Sequence, residues 1–145
     1  MPERQSPETI VAFDYGLRRI GVAVGQDVTG SASPLGIVNN SEKGPDFERI
    51  ASLVKEWRPN RLVVGIPLQL DGSPGELETD IRKFVLELER FALPIDRVDE
   101  RHTSQEAEQA LINARQAGSH GRIKKEHIDA AAAVFIAERY LLRNL

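Results

Sequence analysis

A chain of 145 residues, 41% hydrophobic and with a formal net charge of -3, fits one compact domain and leaves no room for a second of ordinary size. It contains no cysteine, which excludes a disulfide framework and thiolate metal sites and fits a reducing compartment. The polar start has no apolar signal core, no apolar run approaches the roughly 20 residues of a membrane span, and the acidic balance argues against a protein that coats nucleic acid nonspecifically; a soluble, cytoplasmic protein with no membrane partner is expected.

The first nine residues read as a flexible tail, and residues 10–145 as a single domain. Ile10-Val11-Ala12-Phe13 is an apolar run of the kind found in central strands, and Asp14 ends it. Tyr15-Gly16-Leu17-Arg18-Arg19 then turns the chain into a second apolar run, Ile20 to Gly25, so the opening reads as a β-hairpin. Ser33 to Val38 looks like a third strand, followed by the loop Lys43-Gly44-Pro45. From Asp46 to Trp57, Phe47, Ile50, Leu53, Val54 and Trp57 recur at helical spacing.

Leu62 to Ile66 is a short continuous apolar run typical of buried parallel strands. Ser73-Pro74-Gly75-Glu76 resembles a helix start, and the apolar face Leu77, Ile81, Phe84, Val85, Leu88 carries that helix to about Phe91. Pro94 to Glu100 is a weaker, more polar strand suited to a sheet edge. Thr103-Ser104-Gln105-Glu106 is a second capping box, opening a helix that Gly118 terminates. A basic loop, Gly118 to Lys125, leads into a last, Ala-rich helix from Glu126 to Leu142. The order βββαβαβαα predicts an α/β fold with a five-stranded mixed sheet flanked by helices.

Three acids stand at element ends: Asp14, Glu100 and Asp129. Ligands of open α/β sheets gather beyond the carboxyl ends of parallel strands, so Asp14 and Glu100 can meet there if their strands run parallel. Asp129 can join them, because the alanines that follow it let its helix approach the sheet closely. Three converging carboxylates repel one another unless hard cations lie between them, and oxygen-only ligation suits Mg²⁺ or Mn²⁺. Arg18, Arg19, Arg101, Arg122, Lys124 and Lys125 adjoin the acids in sequence and are candidates to hold phosphates. The plain alternatives are a solvated acid at a turn for Asp14, an acid favoured by the helix dipole for Asp129, and solvated surface charges for the basic residues.

These residues carry a family resemblance. Asp14-Tyr15-Gly16 with Arg19-Ile20-Gly21-Val22-Ala23, Val64-Gly65-Ile66-Pro67-Leu68 with Asp71-Gly72, Asp99-Glu100-Arg101 with Thr103, and Lys124-Lys125 with Ile128-Asp129 and the Ala run resemble the YqgF family. That family is described as pre-16S rRNA nucleases and as RuvX or RuvC-like Holliday junction resolvases. The resemblance runs from about Ile10 to Leu142 and implies a ribonuclease H-like fold, a catalytic and metal-binding triad of Asp14, Glu100 and Asp129, and Mg²⁺ or Mn²⁺ as cofactor. His102 stands where the family usually has Leu, and Gln69-Leu70 where it usually has Asn-Met; neither departure removes an acid.

The expected function is phosphodiester hydrolysis on structured nucleic acid, with processing of the 5′ end of pre-16S rRNA as the substrate that the resemblance implies. Pre-16S rRNA or branched DNA, and ribosomal particles, are then the expected partners of a monomer or weak dimer. Alternatives are a Holliday junction resolvase, which would call for a dimer, and a non-catalytic nucleic-acid-binding ribosome assembly factor. A nucleotide-binding reading of Asp14-x-Gly16 as the phosphate loop of an actin-like ATPase would need two such domains, and the chain supplies one.

Overall fold

The computed structural model describes residues 8–66, 75, 77–99 and 125–143, with side chains of the last stretch described for 130–142. Strand β1, Thr9–Asp14, is buried along Ile10, Val11, Ala12 and Phe13, because it has a strand on either side and helices over both faces. It pairs antiparallel with β2, Arg19–Gln26, placing Asp14 opposite Gly21. On its other side it pairs parallel with β5, Arg61–Ile66, which in turn pairs parallel with β6, Ile95–Asp99. The carboxyl ends of β1, β5 and β6 therefore lie along one edge of the sheet, and among the described residues β6 is an outer strand, as its polar composition predicts.

Among the described residues the sheet has six strands in the order β4-β3-β2-β1-β5-β6, one more than expected. The addition is the two-residue strand β4, Gly44–Pro45, which folds back on the end of β3, Ser31–Ser41. Gly44 adopts φ 104°, a conformation that closes this hairpin where an L side chain would be strained. So short a strand leaves no periodic trace, and its sequence reads as a loop. Strand β3 runs longer than its apolar centre, and it absorbs Pro34 by a register shift against β2 between Val22 and Ala23.

Helix α1, Phe47–Trp57, starts where the Asp46 carboxylate accepts the Arg49 N–H at 3.1 Å, and ends at Arg58 in the left-handed conformation. Helix α2, Glu78–Leu88, has Leu77 at its N-cap and continues as a 3₁₀ turn through Phe91; it starts later than the helix expected from Ser73, since Gly75 and Leu77 are not helical, and Ser73, Pro74 and Glu76 lie outside the described residues. Helices α1 and α2 cover one face of the sheet around Val11, Phe13, Phe84 and Leu88. Helix α3, Lys125–Arg143, covers the other through Ile136, Ala137, Tyr140 and Leu141, packed on Ile10, Ala12, Val63 and Val98. Its small residues let it sit close: a Cβ added to Gly25 would meet Leu141 Cδ1 at 3.3 Å and the Ala137 Cβ at 3.4 Å. The capping box at Thr103 and its helix, and the basic loop from Gly118 to Lys124, lie outside the described residues.

Candidate active site at the carboxyl edge of the sheet

Successive side chains of a strand point to opposite faces. Val11 and Phe13 lie in the core under α1 and α2, and Ile10 and Ala12 in the core under α3, so the alternation directs Asp14 to the α3 face. There it is half-buried at the last residue of a central strand, and it interacts with the protein around it.

The turn after Asp14 is tightly held. A Cβ on Gly16 would come within 2.5 Å of the Arg19 carbonyl oxygen, a backbone atom that cannot swing away, so this position requires glycine. Asn40 fastens the same turn from β3. Its side-chain Nδ2 donates to the Gly16 carbonyl at 2.8 Å, and its backbone N–H donates to the Arg18 carbonyl at 2.9 Å. Asn40 is 7% exposed, a buried amide whose cost of desolvation is offset by these bonds. Asn40 lies two residues beyond Val38, where the strand expected from the sequence ends, and the structure carries β3 on through it. The available signal is its spacing of two from Val38, which places both inward on β3.

A second fastening acts at the end of β6. The Arg139 guanidinium, on α3, donates to the Asp99 carbonyl at 2.6 Å, holding the backbone immediately before Glu100. Side chains on a helix lean toward its N-terminus, so Arg139 reaches back along α3 toward the carboxyl edge.

Of the nine expected site residues, the structure brings Asp14, Arg18 and Arg19 together in one hairpin turn, with both arginines exposed. Asp129 and Lys125 are described as backbone of α3, the helix on the face to which Asp14 is directed. Glu100, Arg101, Arg122 and Lys124 lie outside the described residues, as does His102. Among the described residues no group of three or more His, Cys, Asp or Glu side chains is placed to hold a metal ion. The Asp14 carboxylate at a strand end is the type of hard oxygen donor that Mg²⁺ or Mn²⁺ takes.

The family model of RuvX, described as Holliday junction resolvase, matches residues 8–143. This chain belongs to the RuvX family. A relative from Colwellia psychrerythraea, named "Putative pre-16S rRNA nuclease", is 43% identical over 133 residues, covering 91% of this chain and 88% of its own. A relative of the same name from Paraburkholderia xenovorans is 45% identical over 134 residues, covering 92% and 87%. Among solved structures, RuvC of T. thermophilus in complex with Holliday junction substrate matches with a TM-score of 0.58 at 16% identity, covering 94% of this chain and 95% of that one. The yeast mitochondrial Holliday junction resolvase Ydc2 matches with a TM-score of 0.52 at 11% identity, covering 91% and 77%. At such identities the likeness is one of fold, and it makes this RuvX-family chain ribonuclease H-like, a mixed α/β architecture.

Proposed function

We propose that this protein is a metal-dependent nuclease that hydrolyses phosphodiesters of structured nucleic acid, and that its substrate is the 5′ region of pre-16S rRNA in the cytoplasm. The observation that carries this reading is Asp14: a half-buried carboxylate at the end of a central strand, on the face that α3 covers, in a turn fastened by Asn40. The choice of substrate is supported by the names of relatives more than 40% identical.

Glu100 counts with Asp14 because it directly follows β6, a strand parallel to β5, and stands two residues after Val98, which faces α3. Asp129 counts with them because it precedes the fully buried Ala133 by one helical turn. These three carboxylates would hold Mg²⁺ or Mn²⁺. A divalent cation held there supplies Lewis-acid polarisation of the phosphodiester and lowers the pKa of the attacking water.

The rest of the work belongs to the chain. Asn40 and Gly16 fix the turn that presents Asp14, so that this carboxylate does not have to reorganise when substrate arrives, and Arg139 holds the Asp99 carbonyl at the end of β6. Arg18 and Arg19 project from that turn into solvent, where they can meet phosphates of the strand being cut. Arg101, Arg122, Lys124 and Lys125 would extend this contact.

A second reading, resolution of Holliday junctions by a dimer, is favoured by the description of the family model and by the fold shared with a junction-bound RuvC. Pure protein with Mn²⁺, incubated side by side with labelled precursor rRNA, a four-way DNA junction and plain duplexes, separates the two. The proposal predicts fastest cleavage of the precursor rRNA by a monomer or weak dimer. Fastest cleavage of the junction by a stable dimer contradicts it. Binding without cleavage of any of them would point to the non-catalytic assembly factor.

A further inference from the structure

On the other side of the Asp14 turn, facing α2, lies a cleft of about 620 Å³, a volume within the range of small-ligand sites. Its floor is aromatic. The Tyr15 ring lies 5.3 Å from that of Phe84, which is braced in turn by Phe13 at 5.5 Å and Phe47 at 6.1 Å, with the Arg90 guanidinium 4.0 Å from the centre of the Phe47 ring. Phe84 is 1% exposed, so Tyr15 rests on a rigid, buried support. The lip is Leu17, a large apolar side chain left 62% exposed in the turn between Tyr15 and Arg18.

The walls carry charge of both signs. Arg18, Lys43 and Lys83 are matched in number by Glu42, Asp80 and Glu87. Asp80, Lys83, Phe84 and Glu87 lie at helical spacing along one face of α2, so donors and acceptors line the same wall. A lining with no net charge is poorly suited to a polyphosphate, and one with six charged groups is poorly suited to a purely apolar ligand. It suits a flat molecule with an apolar face and hydrogen-bonding groups of both kinds at its edge.

We infer that this cleft receives one unstacked nucleobase of the strand being cut, with Tyr15 and Leu17 against the face of the base and the charged residues of α2 and of the hairpin between β3 and β4 at its edge. The inference rests on the nuclease reading. Tyr15 directly follows Asp14 on β1 and points to the opposite face, so a strand whose phosphate sits at Asp14 passes over the turn and delivers a neighbouring base to the cleft. Recognition of unstacked bases by aromatic platforms is sequence-tolerant and needs a structured nucleic acid with an end, loop or branch that can open.

The test is binding of a fluorescently labelled, single-stranded RNA oligonucleotide in EDTA, where no cleavage occurs, with an abasic nucleotide placed at each position in turn. One abasic position should weaken binding to the wild-type protein by about 10-fold, the scale of one lost base stack. Tyr15→Ala should bind the intact oligonucleotide about as weakly, with no further loss at that position, while Tyr15→Phe binds like wild type. Leu17→Ser, at a position 62% exposed with little packing to lose, should shift affinity in the same direction and covers the case in which Tyr15→Ala does not fold. Equal affinities for every abasic oligonucleotide, or losses that simply add in Tyr15→Ala and Leu17→Ser, would overturn the inference. Binding of a mononucleotide as tight as that of the oligonucleotide would also overturn it, since the cleft would then serve a free nucleotide. A parallel cleavage assay of the wild-type protein with Mn²⁺ tells these failures from failure of the nuclease reading itself.

Discussion

Asn40 and Gly16 show how single residues fix the turn that follows Asp14. The amide of Asn40 spans from β3 to the turn after Asp14, and Gly16 accepts its bond at a point where no side chain could fit. Replacing Asn40 with Ala leaves the Gly16 carbonyl without this donor and should cost about 1–2 kcal/mol of stability, measurable as a lower urea midpoint. Because the turn also presents Asp14, cleavage by Asn40→Ala should fall by more than that stability loss explains, at temperatures where the variant stays folded. An unchanged rate in the folded variant would mean that Asn40 is structural only. Asp14 itself was legible from the sequence, as an acid closing an apolar run. Asn40 and Arg139 were not, because each matters through a partner far along the chain, 24 and 40 residues away, and no local pattern announces such a bond.

At the scale of elements, the strands and helices with apolar periodicity were legible: β1, β2, α1, β5 and α3 all lie where the runs of Val, Ile, Leu and Ala put them. What escaped was set by pairing. Strand β4 exists only because Gly44 and Pro45 fall against Ser41 and Asn40, and β3 extends into polar residues because β2 and β4 supply its partners. Helix α3 adds a feature of its own, Glu138, which stands among the buried residues Ile136, Ala137, Tyr140 and Leu141. Burial raises its carboxyl pKa above the ordinary 4.5. The folded state therefore holds that proton more tightly than the unfolded state, so the favourable contribution is fully present below pH 4.5 and is lost as pH rises through the folded value, leaving a cost at neutrality. Glu138→Gln removes the cost. It should stabilise the protein at pH 7, by no more than about 0.5 kcal/mol after allowance for solvent screening of a part-exposed group, with the gain shrinking as the pH is lowered toward 4. Thermal melts of both proteins across that range check it, and a gain that grows on acidification would contradict the assignment.

For the whole molecule, the strand order decides where chemistry can happen. With β1 flanked by antiparallel β2 and parallel β5, and β6 parallel beyond, the sheet has one edge at which the carboxyl ends of β1, β5 and β6 gather, and α3 closes the face to which Asp14 is directed. This is the arrangement expected of the ribonuclease H-like fold that the chain shares with RuvC. Among the described residues no helix is long and apolar enough to cross a membrane. The central claim is that Asp14 anchors a metal-dependent phosphodiesterase site. It is tested most directly by measuring Mn²⁺ affinity calorimetrically, and single-turnover cleavage of precursor rRNA, for the wild-type protein and Asp14→Asn. The account predicts that Asp14→Asn loses cleavage and binds Mn²⁺ weakly, yet keeps its affinity for RNA in EDTA and is at least as stable as wild type, because the proposed triad would lose one of three mutually repelling carboxylates. Cleavage at the wild-type rate by Asp14→Asn would contradict it.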